Sequence, residues 1–358
     1  MGQLRRSRDE LLLLAEVAQL YYGEDRTQEQ IAQATGQSRS SVSRLLKEAR
    51  EQGIVDIRVH YPFQRVPGLE ADLHNRLGLS DCRVLATGQV RPIIGLSEDV
   101  PGRVGVLAAR YLQQHVPDNS TIGLGWGRMI HHVVYSGHFA NKPGMVVVQV
   151  EGSIGGAVPD VDGGRLVAEL GRRLGGRVYL LSAPLVVAEP SVRTGLLRDQ
   201  HIRQTLEWGR RADALVMGIG TVDRQSGLYR AGYLTDADLD FIEGQGGVGD
   251  ICGSYFARDG SLLPLELNDR VIALGAEAMR GVPLRVGVTS GVEKALPNLG
   301  AARSGLINVL ITDDQAAEAM LTLIGQDDVA GALLSAGTEA DRGAGLAGAP
   351  SLTGVVRS

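Results

Sequence analysis

The stretch that decides the fold is TQEQIAQATGQSRSSVSRLLKEAREQG, which runs from Thr27 to Gly53. Thr27 is followed three residues later by Gln30, and this pair forms a capping box that starts a helix. Gly36 supplies the left-handed residue that ends the helix, and Ser38 caps the next one. The stretch therefore predicts two helices joined by a tight turn.

The second of these helices has one apolar face and one basic face. Its apolar residues recur at three and four positions, which is the spacing of a packed face, and they are Val42, Leu45, Leu46 and Ala49. A helix that enters the major groove presents small polar and basic side chains to base edges and phosphates. The residues that we predict to bind DNA in this way are Gln37, Ser38, Arg39, Ser41, Arg44 and Lys47.

Positive charge is concentrated in this helix. Residues 36–50 contain four basic side chains against Glu48, a net charge of +3, whereas residues 1–60 hold nine basic and nine acidic side chains and are neutral. A hairpin of helices with a solvated charged face is the alternative interpretation. A preceding helix over 9–22, with its packing stripe, and a short wing strand over 54–60 favour a DNA-binding domain of residues 1–60. The predicted stripe consists of Leu12, Leu13, Val17, Leu20 and Tyr21.

The whole chain of 358 residues has room for two or three domains and carries a net charge of −5. An acidic chain of this kind is not expected to coat nucleic acid without specificity. Cys82 and Cys252 lie far apart, and the histidines form no metal-binding pattern, so we predict no disulfide framework, no metal and no cofactor. We expect a cytoplasmic protein, because no apolar stretch is long enough to span a bilayer.

Short apolar runs alternate with helical patterns between the wing and the carboxyl terminus. Continuous Val, Ile and Leu runs indicate strands that are covered on both faces, so the pattern predicts a Rossmann-like α/β domain with a parallel sheet over 79–326. The predicted strands are 83–87, 121–125, 145–150, 177–181, 214–219, 284–289 and 308–312.

The two ends of this domain carry different signals. Residues 61–78 predict a linker and a helix whose stripe of Leu69, Leu73 and Leu77 either packs within the chain or forms an oligomer seam. Residues 327–358 turn to Ala, Gly, Ser and Thr and predict a disordered tail.

Ligands of open parallel sheets bind beyond the carboxyl ends of the strands, where glycine lets a small molecule approach the backbone. Four strand ends have this character, and backbone amides near Gly125 to Arg128 could hold an anion at a helix start. Lys294 in the first turn of a helix is best explained by an anionic partner, and Asp250 by hydroxyl groups or a lysine. The predicted effector-binding residues are Gly125, Trp126, Gly127, Arg128, Gln149, Gly218, Gly220, Asp250 and Lys294.

Several segments, taken in order, resemble the SorC family of sugar-binding bacterial transcriptional regulators. They are TQEQIA, SRSSVSRLL, GLGWGR, the GIG of residues 218–220, GVGDICG and SGLINVLITDDQAAEAML. The resemblance covers about residues 9–324 and implies an effector domain similar to ribose-5-phosphate isomerase and glucosamine-6-phosphate deaminase. It also implies a phosphorylated sugar or polyol as effector and a homotetramer.

The resemblance places the effector pocket at the glycine loop of 125–128, at Asp250 and at Lys294. Two positions depart from the family pattern. Met129 stands where members often have threonine, which removes a hydroxyl donor, and Ser290 replaces the first glycine of the turn before Lys294.

The sequence therefore predicts a transcriptional regulator that binds operator DNA and senses a sugar, a polyol or a sugar phosphate. The rival hypothesis from another class is a phosphosugar isomerase or deaminase with an added DNA-binding domain, in which Asp250 or Glu151 is the base and Lys294 the electrophile. A scaffold without ligand is a third interpretation. In the regulator, Lys294 and Arg128 would bind the phosphate.

Overall fold

The computed structural model describes residues 8–55, 64–88, 99–155 and 159–344. The chain forms two compact units, Met1–Tyr61 and Pro62–Ser358, which divide close to the boundary that the sequence predicts. Most of the predicted wing strand, from residue 56 onward, lies outside the described residues, as do residues 345–358 of the predicted tail.

The first unit has three α-helices and a short π-helix. Their bounds are α1 (Arg8–Ala18), the π-helix (Gln19–Gly23), α2 (Gln28–Thr35) and α3 (Arg39–Glu51). The largest side chains buried among them are Leu14, Val17, Ile31, Val42 and Leu46.

The caps predicted from the sequence are present at both helices of the pair. The Thr27 side chain accepts a hydrogen bond from the Gln30 amide, and the Gln30 side chain accepts one from the Thr27 amide. Gly36 has φ 66°, a left-handed conformation that favours glycine, and Ser38 caps α3. The two helices and their turn are confirmed.

The packing stripe of α1 differs from the prediction at Leu12. Leu12 is 59% exposed, whereas Leu14 is fully buried together with Val17. With 3.6 residues per turn, Leu12 is rotated about 200° from Leu14. The run of four leucines does not show which face of the helix is buried, because every rotation of the helix places some leucine toward the core.

The second unit is built on a seven-stranded sheet. The strands of the unit, in chain order, are β1 (Asp81–Leu85), β2 (Thr121–Leu124), β3 (Val146–Gln149), β4 (Arg177–Tyr179), β5 (Ala214–Gly218), β6 (Gly220–Thr221), β7 (Gly247–Ile251), β8 (Ser254–Ala257), β9 (Leu284–Val288) and β10 (Val309–Asp313). The large sheet has the order β1-β10-β9-β5-β2-β3-β4, and every described pair in it is parallel. Each of the seven predicted strands overlaps one of these strands.

Helices cover both faces of this sheet. Their bounds are α4 (Pro67–Leu77), α5 (Val100–His115), α6 (Arg128–Ser136), α7 (Gly163–Leu174), α8 (Pro190–Leu196), α9 (Gln200–Arg210), α10 (Gly227–Arg230), α11 (Asp236–Gly244), α12 (Ala276–Arg280), α13 (Ala295–Arg303) and α14 (Asp314–Ala344). Val147 packs in one core cluster with residues of α5, α6 and α7, and Val148 in another with residues of α4, α13 and α14. Because successive strand residues point to opposite faces, both faces are buried, which explains the continuous apolar runs.

A second, three-stranded antiparallel sheet has the order β6-β7-β8. It contains most of the segment GVGDICGSYFARDG, residues 247–260. Glycine has a low strand propensity, so this segment carries no clear strand pattern. The sheet matters because it carries Asp250 across from Gly220.

The leucine stripe of α4 packs within the chain. Leu73 is fully buried in the core cluster beside α13 and α14, and Leu69 and Leu77 pack partly buried against the same cluster. Of the two alternatives for this stripe, the structure supports intrachain packing, so the predicted oligomerisation role of residues 61–78 does not rest on these leucines.

The last helix is longer than the sequence predicts. The predicted effector domain ends at residue 326, but α14 continues to Ala344. Residues 327–358 predict a tail because they lack apolar residues that recur at helical spacing. Their alanine content nevertheless favours a helix, since alanine has the highest helix propensity.

Candidate functional site

The outer face of α3 is accessible and basic. Arg39, Arg44 and Lys47 are exposed, while Val42 and Leu46 on the opposite side are buried. The Lys47 ammonium lies 3.7 Å from the Glu51 carboxylate, and both side chains are more than half exposed. A surface ion pair of this kind is weak and leaves the lysine available to a phosphate.

The two predicted serines of this region also have a structural role. The Ser38 hydroxyl accepts a hydrogen bond from the Ser41 amide at 3.1 Å and lies 2.8 Å from the Ser41 hydroxyl. Ser38 therefore caps α3. Gln37, in the exposed turn before it, and Arg39, at the first helical position, have side chains that point into solvent.

The second unit has a cavity of about 300 Å³ beyond the carboxyl ends of its parallel strands. Seven of the nine predicted effector-binding residues line it, namely Trp126, Gly127, Arg128, Gly218, Gly220, Asp250 and Lys294. Residues that follow β2, β3, β5 and β9 meet there, as expected for the shared edge of a parallel sheet.

Asp250 and Lys294 form the polar wall of the cavity. The Lys294 ammonium donates to the carbonyl oxygen of Ile219 at 2.7 Å, and the Asp250 carboxylate accepts from the Gly253 amide at 3.2 Å. Burial raises the pKa of Asp250 to about 6, although the Gly253 amide and Lys294 oppose this shift. Burial likewise lowers the pKa of Lys294, against the attraction of Asp250.

Gly220 is required at its position by Asp250. The two residues face each other in the antiparallel pair of β6 and β7, and a Cβ atom on Gly220 would lie 1.9 Å from an Asp250 carboxylate oxygen. At Gly218, two residues earlier, a Cβ would meet only the Trp126 carbonyl oxygen at 3.6 Å. Gly220 thus opens the space that the carboxylate occupies.

The turn that presents Lys294 is held by Asp313, a residue that the sequence analysis missed. Asp313 ends β10 and is 1% exposed. Its carboxylate accepts from the Ser290 hydroxyl at 2.8 Å and from the Gly291 amide at 2.7 Å. Gly291 has φ 107°, so the turn needs glycine there. An acid directly after a buried strand is the signal that could have pointed to this role.

The glycine loop differs from the predicted anion site. The amide of Gly125 donates to Val216, that of Gly127 to Val161, and that of Trp126 to the Glu151 carboxyl group at 2.9 Å. These three amides are therefore used within the protein. The amides left for an anion are those of the first turn of α6, which begins at Arg128, because such groups have no intrahelical acceptor.

Gln149 and Gly125 do not line the cavity, which corrects their predicted contact with the effector. Gln149 is 1% exposed, and its amide group donates to the Glu151 carbonyl and accepts from the Leu181 amide. Its hydrogen bonds tie the segment after β3 to the segment after β4. Gly125 makes room for the Glu151 side chain, since a Cβ there would lie 2.7 Å from its carboxyl oxygen.

Trp126 lies between the hydrophobic core and the cavity. It is partly buried and packs against a third core cluster, yet it also lines the cavity. Gly227 allows this packing, because a Cβ at that position would lie 2.4 Å from the indole ring.

Other residues of the cavity wall were not predicted as effector ligands. His132 lies one turn beyond Arg128 on α6, and burial lowers the pKa of its imidazole. Arg230, at the end of α10, adds a second exposed guanidinium group to the wall. Glu151 and Cys252 form its buried part.

Comparisons with known proteins agree with this architecture. The family model Sugar-bind, described as "Putative sugar-binding domain", matches residues 61–322, and the MarR family model matches residues 17–61. The chain belongs to this sugar-binding family. The resemblance to the SorC family is confirmed, because the sorbitol operon regulator SorC is similar to this chain in both sequence and structure.

Two curated relatives match nearly their whole length. The deoxyribonucleoside regulator of Bacillus subtilis is 29% identical over 314 residues, which cover 88% of this chain and 98% of the relative. The sorbitol operon regulator of Klebsiella pneumoniae is 27% identical over 315 residues, which cover 87% of this chain and 98% of the relative.

Two solved structures show the same fold. Full-length SorC from Klebsiella pneumoniae matches with a TM-score of 0.64 and 26% identity, and the match covers 87% of this chain and 99% of SorC. A domain of a possible sugar-binding transcriptional regulator from Arthrobacter aurescens matches with a TM-score of 0.63 and 28% identity, covering 73% and 99%. These relatives are regulators by name, so the chain is a transcriptional regulator rather than an isomerase or deaminase.

Proposed function

We propose that this regulator binds operator DNA through α3 and that a phosphorylated sugar or polyol in the cavity of the second unit changes this binding. The observation that carries the proposal is the meeting of Asp250, Lys294 and the start of α6 around one cavity of about 300 Å³. Ligand pockets begin at roughly this volume.

The charges of the wall suggest how such a ligand is oriented. Arg128 and Arg230 are exposed residues of the same cavity wall as the first turn of α6, and guanidinium groups and helix-start amides both suit a phosphate group. Lys294 is already hydrogen-bonded to Ile219 and lies near Asp250. This pair offers both a donor and an acceptor, which suits the hydroxyl groups of a sugar. The phosphate would therefore be held mainly by the arginines, with Lys294 adding attraction at longer range.

The roles on DNA divide between the start of α3 and its later turns. Gln37, Arg39 and Ser41 are placed to contact base edges, whereas Arg44 and Lys47 are placed to contact phosphates. Ser38 contributes chiefly by fixing the start of the helix.

A ligand changes DNA affinity only if it binds the two DNA-binding states of the protein unequally. Typical coupling free energies of about 1–3 kcal/mol correspond to changes of about 5- to 150-fold. A homo-oligomer, a tetramer by family resemblance, would bring two copies of α3 to one operator.

The likeness to ribose-5-phosphate isomerase and glucosamine-6-phosphate deaminase, and a cytoplasmic location, remain predictions. No helix within the described residues is long and apolar enough to cross a membrane.

Mass spectrometry of small molecules retained by the purified full-length chain tests the ligand class, together with thermal unfolding in the presence of candidate compounds. The candidates are D-ribose 5-phosphate, D-fructose 6-phosphate and D-sorbitol 6-phosphate, each beside its dephosphorylated form. We expect at least one phosphorylated compound to raise the unfolding temperature more than its dephosphorylated form. Equal shifts of the unfolding temperature for both forms would contradict a role of the phosphate group in binding. No shift with any compound would contradict the effector site.

A further inference from the structure

A carboxyl group lies directly beneath the loop that leads into α6. Glu151 follows β3, is 4% exposed and lines the cavity. One of its oxygens accepts the Trp126 amide hydrogen at 2.9 Å, and Gly125 lacks the Cβ atom that would collide with the same oxygen. The structure thus commits one loop amide and one glycine to an acid at the site where an anion is to bind.

Three cations, Arg128, Arg230 and Lys294, line the same cavity as Glu151. The titratable neighbours of Glu151 are Asp250, on β7, and the Cys252 thiol, in the turn after β7, while Lys294 faces Asp250. Burial raises the pKa of Glu151 to about 8, Asp250 adds to this rise, and the Trp126 amide opposes it. Burial also raises the pKa of Cys252 well above its ordinary value, so the thiol stays protonated.

These contacts determine what Glu151 offers to a ligand at neutral pH. The carboxyl group accepts from the Trp126 amide with one oxygen and is hydrogen-bonded to the Cys252 thiol, and while it is protonated it adds no charge to the cavity wall. Once ionised, the same group becomes an acceptor only and adds a second negative charge beside Asp250. An anion in this low-dielectric cavity would then be repelled.

We propose that Glu151 is a specificity-determining residue of this site, which admits an anionic sugar derivative while Glu151 is protonated and rejects it when Glu151 ionises. This inference depends on the proposed function, because it needs an anionic effector in the cavity. It assigns to Glu151 a role in the charge selectivity of the site, in addition to its support of the Trp126 loop.

Isothermal titration of the full-length chain between pH 7 and pH 9 tests the proposal. The probe is the tightest binder among the three sugar phosphates named above. Above pH 7 the phosphate is fully charged, since its second pKa is about 6, and Asp250, with a pKa of about 6, is ionised. The charges that act on Lys294 are the same in the wild type and in Glu151→Gln, so the comparison of these two proteins isolates Glu151.

We expect the affinity of the wild type to fall about tenfold between pH 7 and pH 9, because a group with a pKa of about 8 passes from about 90% protonated to about 90% ionised. Glu151→Gln keeps the shape and the Trp126 contact but cannot ionise, so its affinity should change less than about twofold. Glu293→Gln, which removes an exposed acid from the cavity rim, is the matched control and should retain the wild-type fall.

A tenfold fall that persists in Glu151→Gln would overturn this inference and leave the proposed function intact. A wild type that binds none of the probes would overturn both this inference and the proposed function.

Unfolding of the ligand-free protein gives an independent measurement. A carboxyl group whose pKa is raised on folding loses stability as pH rises between the unfolded and folded values. The unfolding temperature of Glu151→Gln relative to the wild type should therefore rise from pH 5 to pH 9, and a constant difference would also overturn the inference.

Discussion

At the scale of single residues, Asp250 and Lys294 form the polar wall of the cavity, and the buried contacts of Glu151 and Asp313 hold the loops around it. Asp250 and Lys294 were predicted because each follows or joins a strand end rich in glycine. Gln149 is buried outside the cavity wall, since polarity at a strand end does not reveal whether a side chain faces a ligand or satisfies neighbouring loops. Glu151 and Asp313 act through buried contacts between distant segments, and the local sequence indicates them only as acids at or just after a buried strand.

Replacing Lys294 by alanine tests the polar wall. We expect effector affinity to fall by about 10- to 150-fold, because hydrogen bonds to charged groups contribute about 1.5–3 kcal/mol. DNA binding without effector should be unchanged. Lys142→Ala is the control, since Lys142 donates to carbonyl groups at the end of α5. Wild-type affinity in a calorimetric titration of Lys294→Ala would remove this lysine from the site.

Replacing Gly220 by alanine tests the fit between Gly220 and Asp250. The added methyl group would lie 1.9 Å from the carboxylate and must displace it. Overpacking of this kind costs about 1–3 kcal/mol of the free energy of unfolding. Gly218→Ala is the matched control, because its methyl group meets only one atom at 3.6 Å. Equal unfolding midpoints in urea for the two variants would show that the collision is relieved without cost.

At the scale of helices and strands, the prediction from sequence was most complete where a pattern is long and periodic. The seven buried strands were found because both faces are covered, and α2 and α3 because their caps are local. The strands β6, β7 and β8 were missed because β6 and β7 contain glycine and β6 pairs with a segment distant in the chain, whereas β7 and β8 form a short hairpin. Packing determines which face of α1 is buried, and helix propensity determines where α14 ends. Neither can be read from the amino-acid composition of these segments alone.

The later turns of α3 should contribute affinity without sequence preference. Lys47→Ala is expected to weaken binding to all duplexes by a similar factor and to reduce the slope of log affinity against log salt by about 0.9, the value for one lost phosphate contact. Arg39→Ala should instead reduce the preference for the selected operator by about 1–3 kcal/mol. Fluorescence anisotropy at several salt concentrations distinguishes the two effects. An unchanged salt slope in Lys47→Ala would contradict the phosphate contact.

The helix α4 should contribute to folding through its buried leucine. Leu73 is fully buried, so Leu73→Ala is expected to lower the free energy of unfolding by about 2–5 kcal/mol. Leu180→Ala is a control on an exposed leucine of the same unit, which is 48% exposed. Urea unfolding and sedimentation would be measured together. A change in oligomeric state with no loss of stability would restore the oligomer seam as the role of this stripe.

At the scale of the whole molecule, the chain combines a basic helix on an overall acidic protein with a cavity whose wall mixes cations and buried acids. The charge distribution favours specific over diffuse DNA binding, because the basic face of α3 belongs to a chain of net charge −5. The central claim is that occupancy of the cavity changes the affinity of α3 for its operator.

The most direct test is the affinity of the full-length chain for an operator duplex, selected from a random library, with and without a saturating sugar phosphate. Fluorescence anisotropy at fixed salt would be applied to the wild type and to Lys294→Ala. We predict a change of about 5- to 150-fold in the wild type and little change in the variant. An operator affinity that stays the same when the cavity of the wild type is demonstrably occupied would contradict the account.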